Sequence, residues 1–152
     1  MKIFVLIHRI KMIFVVFRQD KQQKQAEKVA YNHTQPVNGQ WSLQFPEGWG
    51  APTSLEVETL APWCELPMSD EGKAFSGSVM YTTTFDWQNA DKQVMLDLGK
   101  VSMIAEVFVN DQKVRTLWCT PYAADITPYV KQGENKLQVK VTSTWFNRLA
   151  FD

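Results

Sequence analysis

Residues 105–110 read Ala-Glu-Val-Phe-Val-Asn. Asp111 follows, then Lys113-Val114-Arg115-Thr116-Leu117-Trp118, Asp125-Ile126-Thr127-Pro128, Gly133-Glu134-Asn135 and the alternating Leu137-Gln138-Val139-Lys140-Val141. The stretch closes at Trp145-Phe146-Asn147-Arg148. Short runs rich in β-branched residues alternate apolar and polar positions, and each is bounded by Asn, Asp, Gly or Pro. Asn110-Asp111 falls where a two-residue hairpin needs positive φ, which Asn and Asp tolerate best among the non-glycines. Thr127 is placed to cap one helical turn, Pro128 to Lys131, with proline at the first helical position, where its missing N–H costs nothing. Asp125 is expected to fix that turn, and Gly133-Glu134-Asn135 to reverse the chain. Strands and turns in such close succession belong to an antiparallel sandwich.

The same rhythm extends back to residue 37. Trp41-Ser42-Leu43-Gln44-Phe45 alternates with period two, and Pro46–Pro52 is a Gly/Pro loop with Trp49 at its tip. Thr53 or Ser54 is expected to cap a short helical turn through Leu55, Val57 and Leu60, stopped by Pro62. Val79, Tyr81, Thr83 and Phe85 share one strand face, and Val94, Leu96 and Leu98 another, with Gly99 ending the run. Leu137, Val139 and Val141, continued by Ser143 and Trp145, form the closing strand. Some seven to nine short strands, with turns roughly every 8–12 residues, predict an all-β sandwich or jelly roll. No dinucleotide, phosphate-loop, zinc-protease or nucleophile-elbow motif interrupts them.

The first 36 residues are different. Met12–Phe17 is β-branched and aromatic and reads as a strand, with Ile3–Ile7 a second candidate. His8, Arg9 and Lys11 break the apolar run that a signal peptide or a spanning helix requires. Residues 18–28 are polar and carry no apolar stripe, so a solvated linker is expected there. The division is therefore a strand remnant and linker at 1–36 and a sandwich at 37–152.

Composition excludes more than it proposes. The chain has 152 residues, with 16 Lys+Arg against 16 Asp+Glu. No net field draws it to nucleic acid or to an anionic membrane. Cys64 and Cys119 have no metal-ligand spacing with His8 or His33, and two free thiols are expected. No cofactor or metal site is anticipated. Six Trp are many for this length; each is either core filler or a platform for a sugar ring.

With the strands placed, a resemblance emerges. Gly39–Pro46, Leu60-Ala61-Pro62-Trp63, Phe75-Ser76-Gly77 and Tyr81 resemble the opening of a galactose-binding-domain-like sandwich. This sandwich occurs in family 2 glycoside hydrolases and, more similar still, at the C-terminus of bacterial α-L-rhamnosidase-like enzymes of family 106. The likeness continues through Leu96–Gly99, Val109-Asn110, Pro121-Tyr122, Asp125-Ile126-Thr127 and Trp145–Leu149. Two departures fall at turns: Asp111 stands where a Gly is usual, and so does Phe151. The resemblance implies a non-catalytic accessory module, a fragment of a larger hydrolase whose catalytic carboxylates lie in another domain. Its implied partners are carbohydrate and that catalytic domain. The parent enzyme would act in the periplasm or outside the cell, although no export signal is visible here.

Glycoside hydrolysis needs two carboxylates flanking the bond. Asp97 and Glu106, expected on adjacent strands, are the only pair worth testing, and no catalytic residue is assigned. Sugar contact needs an exposed aromatic face with a few polar groups. Trp63, Trp118 and Tyr122 lie near loops and are the aromatic candidates, whereas Trp41 and Trp145 are expected in the core. Arg148 either holds the C-terminal segment by an ion pair or presents its fork to a sugar. Asn110 is a candidate contact that also reads as a turn residue. Three functions follow: a carbohydrate-binding module, a structural domain packed on a catalytic one with an apolar patch around Phe4, Phe14 and Trp49, and a small free-standing glycosidase.

Overall fold

The Asn110-Asp111 hairpin organises the larger of two antiparallel sheets. The computed structural model describes residues 34–88 and 93–152, and Val37–Asp152 make up the unit considered below. The strands expected at 3–7 and 12–17 and the linker at 18–28 lie outside the described residues, as do Phe4 and Phe14. The strands are β1 (Trp41–Gln44), β2 (Ser54–Val57), β3 (Ser78–Trp87), β4 (Met95–Asp97), β5 (Ile104–Val109), β6 (Gln112–Leu117), β7 (Ala123–Asp125) and β8 (Gly133–Thr142). Six of them form one sheet in the order β2-β1-β3-β8-β5-β6, and β4 pairs with β7 in a second. Every pairing is antiparallel. The molecule is an all-β, galactose-binding-like sandwich.

Period two decides which side chains enter the core. On β5, Ala105, Val107 and Val109 are fully buried, while Glu106 and Phe108 face the other way. Across the sheet, Leu43, Val79, Tyr81, Leu137 and Val139 point the same way. Leu96 and Ala124 from the small sheet close over them. Loop residues complete this second layer. Trp63 and Phe75 pack edge to face at 5.2 Å, and Phe45 meets Phe75 at the same distance. Such perpendicular aromatic contacts fill a thin core without voids.

Three expectations are corrected. Ser54–Val57 is a strand rather than a capped helical turn: it pairs with β1, Trp41 opposite Val57 and Leu43 opposite Leu55. The alternation of Ser, Leu, Glu and Val fits this pairing, and four residues are too few to sustain a helix alone. The turn at Ile126–Tyr129 forms, but Thr127 does not cap it. Its hydroxyl instead accepts from Val94 N at 2.9 Å, tying the two strands of the small sheet, while Asp125 Oδ1 accepts from Thr127 N at 2.9 Å and fixes the turn as expected. The closing strand stops at Thr142: Ser143 N still donates to Gly77 O at 2.9 Å, one pair further along the register, but Gly77 N is taken by the Ser143 hydroxyl at 3.4 Å. A helix follows, α2 (Phe146–Phe151), and Trp145 at its N-cap is exposed rather than core. A short helix that the sequence reading did not include, α1 (Asp70–Lys73), is capped by Ser69, whose hydroxyl accepts from Gly72 N.

Candidate functional site

Among the aromatic candidates, two are withdrawn from solvent. Trp63 is 8% exposed, and its indole N–H donates to the Tyr81 hydroxyl within the core. Tyr122 is 6% exposed, and its hydroxyl donates to Met103 O at 2.6 Å. Each sits beside a loop in sequence, but its polar tip finds a partner inside, which makes burial of so large a ring favourable. The expectation that they present faces to a sugar is corrected on that ground.

Asn110 is a turn residue with a structural task. Its φ is 51°, and its side-chain amide donates to Tyr129 O at 2.8 Å and to Asn135 Oδ1 at 2.9 Å. Its own Oδ1 accepts from Lys136 N at 3.1 Å. Asn135, fully buried, donates in turn to Lys131 O and Gly133 O and accepts from Lys131 N. The two asparagines thus pin the β5–β6 hairpin to the turn that precedes β8. Sequence reasoning passed over Asn135, which looked like an ordinary turn residue beside Gly133; only its burial marks it.

The carboxylate pair does not form. Asp97 and Glu106 lie in different sheets. Asp97 Oδ1 accepts from Gly99 N at 2.9 Å, a local turn bond. Glu106 is engaged by Lys113 and Lys140. The Lys113 hydrogen bond, aided by the charges of both lysines, holds its carboxyl below the usual carboxylate range although partial desolvation opposes this. A general acid for glycoside cleavage needs the opposite shift.

Two surfaces remain. The first is a shallow groove of about 230 Å³ lined by residues 115–121 and Ala123. It holds Trp118, which is 58% exposed, together with Arg115, Thr116 and Thr120. Among the described residues, none that lines it carries a carboxylate. The exposed Cys119 belongs to it; Cys119 and Cys64 are both free thiols.

The second surface is built around α2. Arg148 N donates to the buried Ser76 hydroxyl at 3.1 Å, and Asn147 Nδ2 donates to Phe75 O at 3.5 Å. The Arg148 guanidinium pairs with Asp152 at 3.1 Å and Glu71 at 3.9 Å, so its ion-pair reading holds within this chain. Gly50, at φ 79°, lies so close under Glu71 that a Cβ there would meet Glu71 Cγ at 2.3 Å. That close approach seats the Trp49 loop on α1. Trp49 then contacts Trp145 edge to face at 5.4 Å. The result inverts the usual amphipathic helix: the polar Asn147 and Arg148 hold α2 to the sandwich, while Phe146 and Leu149 are 73% and 75% exposed. Trp145 and Trp49 are exposed at the N-terminal end of α2, whereas Phe151, half exposed, lies under the Arg148 guanidinium on the side that faces α1.

Comparison with known proteins agrees with this architecture. The family model described as glycosyl hydrolase 2 galactose-binding domain-like matches residues 73–151. A Formosa agariphila protein provisionally named a beta-glucuronidase is 40% identical over 119 residues, which is 75% of this chain and 10% of that protein. The solved rhamnosidase of Novosphingobium sp. PP1Y is 36% identical, with a TM-score of 0.72 over 76% of this chain and 11% of its own. The β-glucuronidase of Ruminococcus gnavus, at 21% identity and a TM-score of 0.58 over 70% of this chain and 21% of its own, shares the fold. The chain thus spans about a tenth of the first two relatives. With more than half of its residues matched in order and its sheets closing over one aromatic core, this chain belongs to the galactose-binding domain-like family of glycosyl hydrolase 2.

Proposed function

We propose that the chain is a non-catalytic accessory module of a glycoside hydrolase and that it docks on the catalytic part of that enzyme through α2. The observation that carries this reading is the inverted helix. Trp49 and Trp145 in edge-to-face contact, together with Phe146 and Leu149 on the outer side of α2, are exposed aromatic and aliphatic groups that are costly to leave in water and mark a surface that another protein covers. The occupant is the catalytic portion of the parent, because the relatives hold this module as about a tenth of a much longer chain. The parent reads as α-L-rhamnosidase-like, supported by 36% identity and the 0.72 TM-score to the Novosphingobium enzyme. It would act on polysaccharide in the periplasm or outside the cell. Glycan cleavage by this chain alone is not expected, since Glu106 is paired and Asp97 is turned to its own loop. Incubation with aryl rhamnosides, glucuronides and galactosides tests this: no release above buffer is expected, and measurable turnover abolished by Glu106→Gln would overturn the non-catalytic reading.

A second reading, carbohydrate contact, is favoured by Trp118. Its exposed indole, in a groove lined also by Thr120 and Arg115, has the composition of a sugar subsite.

A further inference from the structure

Arg115 owes its position to an irregularity in β6. After the two-residue turn, Val109 pairs with Gln112 and Phe108 with Lys113, but Val107 pairs with Arg115 rather than Val114. One extra residue therefore bulges out of β6. A bulge of this kind re-aims the side chains beyond it. It brings Leu117 opposite the buried Ala105 and Arg115 opposite the buried Val107, both on the core side of the sheet. Leu117 is covered; Arg115 is not, because β6 is the edge strand and the second layer beside it is only two strands wide. Arg115 thus lines the groove at the open edge of the sandwich, together with Trp118 and Thr120 of the loop that follows β6. It has no ion-pair partner among the described residues, whereas Arg148 is paired twice. It is also the only charged residue among the described residues that line the groove.

We propose that this groove binds a single uronic acid residue of an acidic glycan, an inference that rests on the carbohydrate reading of Trp118. The C–H face of a pyranose covers the indole, Thr120 bonds a ring hydroxyl, and the carboxylate takes the fork of Arg115. A planar guanidinium matches a carboxylate with two parallel N–H···O bonds, which a neutral sugar cannot supply. The volume of about 230 Å³ is below the roughly 300–1,000 Å³ of drug-sized pockets and suits one ring. The shallow, exposed setting keeps the charge preference modest and sensitive to salt.

Amide chemical-shift titration of the full chain with methyl glucuronide and methyl galacturonide, against methyl glucoside and methyl galactoside, tests this. The uronides are expected to shift residues 115–123 and to bind about fivefold more tightly than the neutral pair. Arg115→Gln is expected to remove that difference, and Trp118→Ala to remove binding altogether. Both side chains are exposed, so the melting temperature should not change. Equal binding of uronides and neutral glycosides overturns the uronate assignment while glycan contact stands. No binding of any of the four sugars, or shifts confined to residues outside the groove, overturns both.

Discussion

Asn110 and Asp111 have positive φ angles of 51° and 63°, yet substitution separates them. The left-handed conformation costs an L-residue roughly 1–2 kcal/mol relative to glycine's ease there. Asp111 recovers part of this through an exposed pair with Lys136, worth at most about 1 kcal/mol. Asp111→Gly is therefore expected to stabilise the fold by up to about 1 kcal/mol in urea denaturation. Asn110→Gly should instead destabilise, because the side chain serves Tyr129, Asn135 and Lys136. Asn135→Ala removes the hub of that network and should cost about 2 kcal/mol, since it takes their partner from part-buried backbone groups of Lys131 and Gly133. Tyr81 supplies a pH dependence. Burial pushes its phenol above the ordinary value of 10.0, partly offset by the N–H of Trp63. The folded state thus favours the neutral hydroxyl. That stability is complete below pH 10, the unfolded value, and is lost as pH rises through the higher folded one. Ultraviolet titration should show Tyr81 ionising late, and Trp63→Phe should raise its pKa further while costing about 2 kcal/mol.

At the scale of elements, α2 is the test case. Its sequence, Phe-Asn-Arg-Leu-Ala-Phe, has too few residues to reveal a period, and the alternation of β8 runs so smoothly toward Trp145 that a continued strand was the natural expectation. What ends the strand is side-chain capture from its partner segment: the Ser143 hydroxyl takes the Gly77 N–H and the Ser76 hydroxyl takes the start of α2. Because Phe146 and Leu149 touch water rather than core, the double substitution Phe146→Ser, Leu149→Ser should change stability by less than about 1 kcal/mol. It should, however, abolish self-association, which sedimentation velocity is expected to show for the unaltered chain at high concentration. Strand β2 was obscured for a related reason: four residues carry little periodic signal, and their pairing with β1 is fixed at a distance.

For the whole molecule, the sandwich was legible because period two, turn chemistry and hairpin spacing all agreed. Ala105, Val107, Val109, Leu137 and Val139 enter the core where alternation placed them. The site was less legible. Trp63, Trp118 and Tyr122 look alike in sequence, and only the partners of their polar tips separate the two buried rings from the exposed one. The bulge that exposes Arg115 leaves no local signature in Lys113–Thr116. The proposed role of the sandwich is that of a scaffold covered at α2 by a hydrolase's catalytic part. The most direct measurement replaces the matching stretch of the Novosphingobium rhamnosidase with residues 37–152 of this chain and assays rhamnoside cleavage and thermal stability of the chimera. Retained cleavage, lost together with several degrees of melting temperature when Phe146 and Leu149 become Asp, is the predicted result. A chimera whose activity and melting temperature ignore those two substitutions would contradict it.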